Sequence, residues 1–399
     1  MPILALPERC TGCAACFNAC GHAAITMDRD GEGFLIPTVD PSKCVECKLC
    51  EKSCPVLQPL SDAGARSPRA FAMWSEPDRR LSSSGGAFSA FARKVLSEGG
   101  VVFGAAFDQD LHCRHVEIRR VEDLSPLRGS KYVQSEIGDV FKRVKEHLKA
   151  ARKVLFCGTP CQVAGLKRFL RKPDENLLTL DLICHGVPSD EVFQSYLKKI
   201  SSRFASDPEG FEFRDRDGWG KAPSISIGGK FRPIYDVDAL YMEAFNASAI
   251  FRKCCYHCPY SGLPRVGDCT LGDFWGIGRY GIPFRHDTMK GVSLVLANTE
   301  QGEEAVRCLS GCFVEERTLE EALIENHNLK SPSNPHPDRE GIIRDFLDPD
   351  VPLKVIASRY RLLDRSFKTR VKNVASRLGL FNVAKRVYNW YKVKSYGKA

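Results

Sequence analysis

Cys10-Thr-Gly-Cys13-Ala-Ala-Cys16-Phe-Asn-Ala-Cys20 and Cys44-Val-Glu-Cys47-Lys-Leu-Cys50-Glu-Lys-Ser-Cys54-Pro55 are two copies of one pattern. In each copy three cysteines are spaced by two residues and a fourth follows after three. Thiolates so spaced reach three irons of one [4Fe–4S] cubane, and the fourth cysteine serves the other cluster. The spacing therefore assigns Cys10, Cys13, Cys16 and Cys54 to one cluster. Cys44, Cys47, Cys50 and Cys20 hold the second, and the chain is expected to move electrons.

A disulfide framework or a pair of zinc sites is the alternative. Zinc needs two CxxC pairs or a Cys/His mixture rather than a doubled four-cysteine run. The first copy ends in Cys20-Gly21 where Cys-Pro is the usual close. Glycine makes that turn without proline's fixed φ, so the ligation is expected to be unchanged.

Outward from this unit, the 399 residues allow two or three domains. Residues 1–60 suffice for the dicluster domain. Between the copies, Ala24-Ile-Thr-Met and Phe34-Leu-Ile-Pro flank a Gly-rich turn and predict a β-hairpin. A polar stretch, Ser61 to Pro68, links to a body over 68–330. Eighteen cysteines without a secretory leader argue for metal rather than disulfides and for a reducing, cytoplasmic setting. No apolar run reaches the length of a membrane span.

In the body, strand and helix signals alternate. Ser82-Ser-Ser-Gly-Gly opens a helix at Ala87, and Val101–Phe107 is an apolar strand. A charged helix near 138–151 precedes a strand over 153–157. Gly158-Thr-Pro-Cys-Gln then opens another helix, and Leu177 to Cys184 is a further strand. Gly291 to Ala297 is a buried strand, with Thr299 as the N-cap of the next helix. This predicts an α+β dicluster domain followed by an α/β domain with a largely parallel sheet. Residues 331–350 are Pro-rich and polar and read as a connector.

A third cysteine set lies in the body. Cys161 falls in the first turn of a helix after a strand, and Cys184 at the end of the next strand. Those positions share one edge of an open α/β sheet, where sites are usually built. Cys255-x2-Cys258 adds a pair suited to a metal. Scattered buried thiols are the plain alternative.

The motifs Ser82-Ser-Ser-Gly-Gly, Arg128-Gly-Ser-Lys-Tyr-Val-Gln-Ser, Gly158-Thr-Pro-Cys-Gln, Cys184-His-Gly-Val-Pro-Ser, Cys255-Tyr-His-Cys and Leu271-Gly-Asp-Phe-Trp-Gly occur in this order. With them the chain resembles the coenzyme F420 hydrogenase/dehydrogenase β-subunit family, in its form with a fused dicluster ferredoxin, over about residues 8–345. The resemblance implies a third [4Fe–4S] cluster on Cys161, Cys184, Cys255 and Cys258, beside FAD. Cys157 or Cys254 is a possible substitute ligand, Cys269 is extra, and Cys113, Cys308 and Cys312 read as ordinary thiols.

No GxGxxG fingerprint is present for the flavin. Two segments take its place under the resemblance. Ser83, Ser84, Gly85 and Gly86 precede a helix and offer hydroxyls and free N–H groups to a pyrophosphate, or simply cap the helix. Gly129, Ser130, Lys131 and Tyr132 form the second segment, with Lys131 as a cation near the flavin ring. Asp273, with Phe274 and Trp275, lines a substrate pocket or makes a tight turn. His185 shuttles a proton or is structural.

Residues 351–399 carry 13 Lys/Arg and one acid, so the rest of the chain sums to −3 of the total +9. Val371, Val374, Leu378, Phe381 and Trp390 are interleaved with the cations. A basic amphipathic tail suits a membrane surface, an acidic partner or its own domain. Nucleic acid is not expected, since no binding module accompanies the charge.

The expected function is an iron–sulfur flavoprotein oxidoreductase. A hydride partner, coenzyme F420 by resemblance, meets FAD, and the clusters exchange single electrons with a redox protein such as ferredoxin or a larger oxidoreductase. A ferredoxin-dependent reductase of another organic substrate, as in polysaccharide synthesis, is one alternative. An electron-transfer module with no catalysis of its own is another.

Overall fold

The structure is a computed structural model describing residues 1–60, 66–214, 219, 222–279 and 282–363, with a few isolated positions beyond. Two short helices, α1 (Ala15–Ala19) and α2 (Leu49–Ser53), and a hairpin of β1 (Ile25–Arg29) with β2 (Leu35–Val39) form the N-terminal unit. The sequence repeat is a structural repeat. Each helix is preceded by a left-handed residue, Ala14 at φ 59° and Lys48 at φ 57°. Each is closed by its fourth cysteine in extended backbone, Cys20 at φ −76° and Cys54 at φ −78°. Gly21 in place of proline thus leaves the turn unaltered. In the hairpin turn, Asp30 Oδ1 accepts from Glu32 N and Phe34 N, both at 2.9 Å, and Phe34 is buried.

The body is built on eight strands: β3 (Arg69–Ser75), β4 (Val101–Phe107), β5 (Cys113–Ile118), β6 (Val154–Cys157), β7 (Leu177–Leu182) and, after three strands of a separate small sheet, β11 (Cys269–Asp273), β12 (Ser293–Ala297) and β13 (Cys312–Arg317). Their order is β13-β3-β12-β11-β7-β6-β4-β5. The sheet is mixed, not largely parallel. Only β11-β7-β6-β4 run parallel, and the strands on either side pair antiparallel. The parallel part is where helices cross over: α3 (Ala87–Ser97) precedes β4, α4 (Val140–Lys149) precedes β6, and α5 (Pro160–Leu170) joins β6 to β7. β5 instead returns directly from β4 through a turn in which Asp108 Oδ1 accepts from His112 N. Buried strands have the same apolar composition in either direction, so this composition does not fix direction.

The small antiparallel sheet comprises β8 (Gly210–Glu212), β9 (Ser224–Ile227) and β10 (Lys230–Pro233). It packs with α6 (Asp190–Phe204) and α7 (Leu240–Asn246) around Phe193, Tyr196, Phe213 and Tyr241. After α8 (Glu300–Arg307), capped by Thr299 as expected, comes the short α9 (Leu319–Leu323). Residues 331–350, expected as a connector, instead contain α10 (Arg339–Leu347), whose Ile342, Ile343 and Phe346 join that same core. The start of the basic segment also docks: α11 (Leu353–Arg359) buries Leu353 and Ile356, and Arg359 pairs with Asp345. Most of the remaining tail, including Phe381 and Trp390, lies outside the described residues. No helix among the described residues is long and apolar enough to cross a membrane.

Candidate functional site

Both four-cysteine sets come together in space as the repeat spacing arranges them. Cys10, Cys13, Cys16 and Cys54 line one small cavity, and Cys20, Cys44, Cys47 and Cys50 line another. The exchange of the fourth cysteine follows from the helix closures described above. Burial pushes the Cys13 thiol up to about 12, and neighbouring Cys10 and Cys54 push it the same way. Such thiols stay protonated unless a bound cation takes up their charge. Among the described residues no group of His, Cys, Asp or Glu converges as on a single metal ion.

The third set also assembles. Thr159 caps α5 in a capping box with Gln162, which places Cys161 in the first turn. Cys184 follows β7 by two residues. Arg265, fully buried, fastens the loop after Cys258 to the end of β7: it donates to Tyr260 O at 2.7 Å, Leu182 O at 2.7 Å and Asp181 Oδ1 at 3.2 Å. Burial pushes Cys161 well up, and Cys258, Cys184 and Cys255 each add to it. Cys184 is pushed up to about 12 by burial, then by Cys255 and Cys258. The donor set is soft, buried and short of compensating charge, which fits an iron–sulfur cluster. Cys254 lies against Cys255, its thiol hydrogen bond raising the Cys255 pKa. Cys157 lines the cavity described next.

Beside the third set opens a cleft of about 280 Å³ at the C-terminal edge of the parallel strands. Ser83, Ser84, Gly86, Gly129, Ser130, Lys131, Tyr132, Cys184, His185 and Asp273 all line it. The two segments expected at a flavin meet directly, with Ser83 Oγ 3.0 Å from Ser130 Oγ. No serine side chain caps α3, whose N-cap is Gly86 at φ 85°. Its first N–H groups are left for a ligand, and Ser84 Oγ is buried with no partner. A helix N-terminus and an orphan hydroxyl in one cleft fit a pyrophosphate, in a cavity near the lower end of ligand-pocket sizes.

Gly85 does not line the cleft. A Cβ there would stand 2.3 Å from Met73 O and 2.6 Å from Ser293 N, so this glycine lets the loop lie on β3 and β12. Lys131 lines the cleft, but its ammonium is held by Pro126 O at 2.7 Å and Arg128 O at 2.8 Å. Asp273, at the end of β11, pairs with Arg214 and accepts from Trp219 Nε1 at 2.9 Å. His185 is held neutral by burial, which lowers its pKa, and its ring stands edge-on to Phe245. Arg214 and Trp219 are not evident from sequence. The run Phe213-Arg-Asp-Arg-Asp-Gly-Trp carries the signal, an aromatic-flanked charge alternation, but nothing in it names a partner 54–59 residues away.

Asp78 is likewise silent in the sequence. Buried below the serine loop, it accepts from Ser75 Oγ at 2.9 Å, Arg93 at 2.8 Å and Arg128 at 2.6 Å. This pins the two cleft segments to one carboxylate.

Comparison with known proteins bears on this arrangement. Residues 151–321 match the family model for the C terminus of the coenzyme F420 hydrogenase/dehydrogenase beta subunit, and residues 9–57 match a 4Fe-4S dicluster domain. The chain thus joins a dicluster domain to a region that matches the C terminus of this beta subunit. It is therefore an iron–sulfur protein of the electron-transfer kind. An uncharacterized polyferredoxin-like protein of Methanocaldococcus jannaschii is 31% identical over 77 residues, 17% of this chain and 46% of that protein, so the match spans about half the relative's length. A chain from the F420-reducing [NiFe] hydrogenase complex of Methanosarcina barkeri is 18% identical, covering 66% of this chain and 95% of that one, with a TM-score of 0.43.

Proposed function

We propose that this protein is an iron–sulfur flavoprotein oxidoreductase with FAD in the cleft and a third [4Fe–4S] cluster on Cys161, Cys184, Cys255 and Cys258. The observation that carries the reading is that one cleft is lined by both expected flavin segments and by Cys184 of the third cysteine set. When bound, FAD supplies the exchange of a hydride for two single electrons.

The chain's own residues have separate tasks. The N–H groups of α3 and the hydroxyls of Ser83, Ser84 and Ser130 hold the diphosphate. Arg214, fixed by Asp273, and Trp275, backed by buried Trp219 at a ring-centroid distance of 4.8 Å, form the wall where an organic substrate enters. Neutral His185 accepts a proton at a ring nitrogen. Lys131, tied to two carbonyls, positions the Arg128–Tyr132 loop. The hydride partner we favour is reduced coenzyme F420, on the family's description. One-electron traffic passes to a ferredoxin or larger redox partner.

The test is iron, acid-labile sulfide and flavin per chain on protein purified without oxygen. About 12 iron with one FAD is expected. About eight iron and no flavin, persisting after reconstitution with both, would leave an electron-transfer module without catalysis. Activity with a sugar or other organic acceptor, and none with reduced F420, would replace the hydride partner alone.

A further inference from the structure

Of the two cysteine sets, it is the ligand loops of the Cys10 set that buried donors of the body reach, while Arg29 with Asp190, Asn18 with Gly138 and Glu32 with Arg339 hold the hairpin and α1. Arg252, which is buried, donates to Cys10 O at 2.6 Å and to Leu35 O at 3.0 Å. Gln134 donates to Thr11 O at 2.9 Å. On the body side, Gly165 lies one helical turn after Cys161 in α5. A Cβ at Gly165 would stand 2.9 Å from Cys13 Sγ, so the missing side chain lets the helix that carries Cys161 touch a thiol of the Cys10 set. Tyr260 closes the same gap. It follows Cys258 by two residues, is buried, and donates to Pro55 O at 3.2 Å, next to Cys54.

The other set faces outward. Cys47 is exposed, Cys20 and Cys44 are half-buried and Cys50 is buried, whereas in the first set Cys10 and Cys13 are buried, Cys16 and Cys54 are half-buried and none is exposed. Val45 beside Cys47 is 59% exposed. The repeat symmetry makes the two sets chemically alike, so their unequal placement is what separates their roles.

We propose that Gly165 and Tyr260 form the electron junction between body and dicluster domain, which makes the Cys10 set the proximal centre and the Cys20 set the terminal one. The proposal rests on a third cluster at Cys161, Cys184, Cys255 and Cys258. One electron leaves the third centre, which is oxidised, and enters the Cys10 centre, which is reduced. A hydride donor at the cleft supplies two such electrons, which pass one after the other while the proton is released to solvent, and the redox partner collects both in turn at the Cys20 centre. Tyr260 is a positioning residue: it stands among thiols of both sets, near enough to interact with Cys161 and Cys258 on one side and Cys13 and Cys54 on the other. Its hydroxyl fixes the Cys54 turn.

The experiment is electron paramagnetic resonance of dithionite-reduced protein. Adjacent reduced clusters show spin–spin interaction. The parent is expected to show it between the third and Cys10 centres as well as within the dicluster domain. Cys47→Ala removes the terminal centre and keeps the third-to-proximal interaction. Cys13→Ala abolishes it and leaves the third centre isolated. Gly165→Ala, a milder change, is expected to shift the signal of the Cys10 centre and leave the Cys20 centre unmoved. Tyr260→Phe, which keeps the ring and drops the hydroxyl, shifts the same signal.

A third centre still coupled in Cys13→Ala, or a Gly165→Ala change felt at the Cys20 centre instead, overturns the order. Iron near eight in the parent protein overturns the third centre itself and the junction with it, an outcome read before any variant is made.

Discussion

Replacing Arg252 by Met should lower the reduction potential of the proximal centre by roughly 60–120 mV. The guanidinium is 2% exposed. Its partners are neutral: Cys10 O, Leu35 O and Gln134 Oε1. Among the described residues it forms no ion pair. A buried cation costs several kcal/mol unless an anion offsets it; the Glu32 carboxylate is near enough to interact with it, and the cluster expected on the ligand loop it holds would supply a second, closer anion. Cys255 of the third set feels the same charge, which partly opposes the Cys254 hydrogen bond and the burial that raise its pKa.

The guanidinium holds the carbonyl of a ligand residue, Cys10 O at 2.6 Å, so a separation of about 6–12 Å from an added electron is taken for the Coulomb estimate. At an effective dielectric of about 20, the interaction is roughly 1.4–2.8 kcal/mol, and about 1.4 kcal/mol corresponds to 59 mV for one electron. Removing a cation opposes reduction, so the potential becomes more negative. Anaerobic redox titration followed by electron paramagnetic resonance reads each centre separately. Arg252→Lys keeps the charge and loses the fork, and should stay within about 20 mV of the parent, a small fraction of the charge effect. Equal shifts in the proximal and terminal centres, or no shift in Arg252→Met, would refute the argument.

Three further outcomes follow from the same contacts. Cys161→Ala should cost about four iron per chain and leave flavin bound; unchanged iron would remove Cys161 from the third set. Gly85→Ala drives a Cβ into Met73 O and Ser293 N, a paired position of β3 and β12. Overpacking of this kind costs about 1–3 kcal/mol or more, so the melting temperature should fall by roughly 5 °C or more, and a melt unchanged from the parent counts against it. His115, lowered to about 4 by burial, accepts from Ser135 and donates to Cys157 O. Its folded pKa lies below the ordinary value of about 6.5, so its contribution is full above that value and is lost as pH falls toward 4. By linkage the loss is about 2 kcal/mol at pH 5. Denaturant unfolding at pH 7 and pH 5 should show that loss in the parent and not in His115→Gln.

The grouping of the eight N-terminal cysteines around two cavities was legible because their chemistry is local. Spacing of two and three residues fixes which thiols share a cubane, whatever surrounds them. The helix at Cys161 was legible for the same reason, since Thr159, Pro160 and Gln162 carry a capping signal in four residues. Pairings across long stretches of chain were not. Asp273 stands out as a candidate, but the Arg214 that neutralises it lies 59 residues earlier, on the far side of the Cys255–Cys258 pair. The Ser83–Gly86 run read either as a pyrophosphate site or as a serine cap; no serine caps α3, whose N-cap is Gly86, and the close approach of Gly85 to β3 and β12 is a backbone role that the sequence did not suggest. Residues 331–350 read as a connector because prolines and charges dominate their composition; three apolar residues, Ile342, Ile343 and Phe346, suffice to dock α10 on α6.

The placement of Arg252 ties cluster occupancy to domain docking. A unit of about 60 residues buries too little surface to be strongly stable alone. This one leans on the body through carbonyls of its own ligand loop, Cys10 O and Thr11 O. An occupied Cys10 set holds that loop in the shape the body's donors meet, and the anionic cluster offsets the buried guanidinium. Docking must therefore favour cluster binding, and by reciprocity the cluster must favour docking by the same factor. The ion pair of Arg339 with Glu32, at 2.6 and 2.8 Å, carries no such coupling, since it joins α10 to the hairpin turn away from the cysteines. Loss of Arg339 should loosen the domain with little effect on cluster potentials. Loss of Arg252 should change both, and that difference separates a contact that only holds the domains together from one that also sets the energy of the electron passing between them.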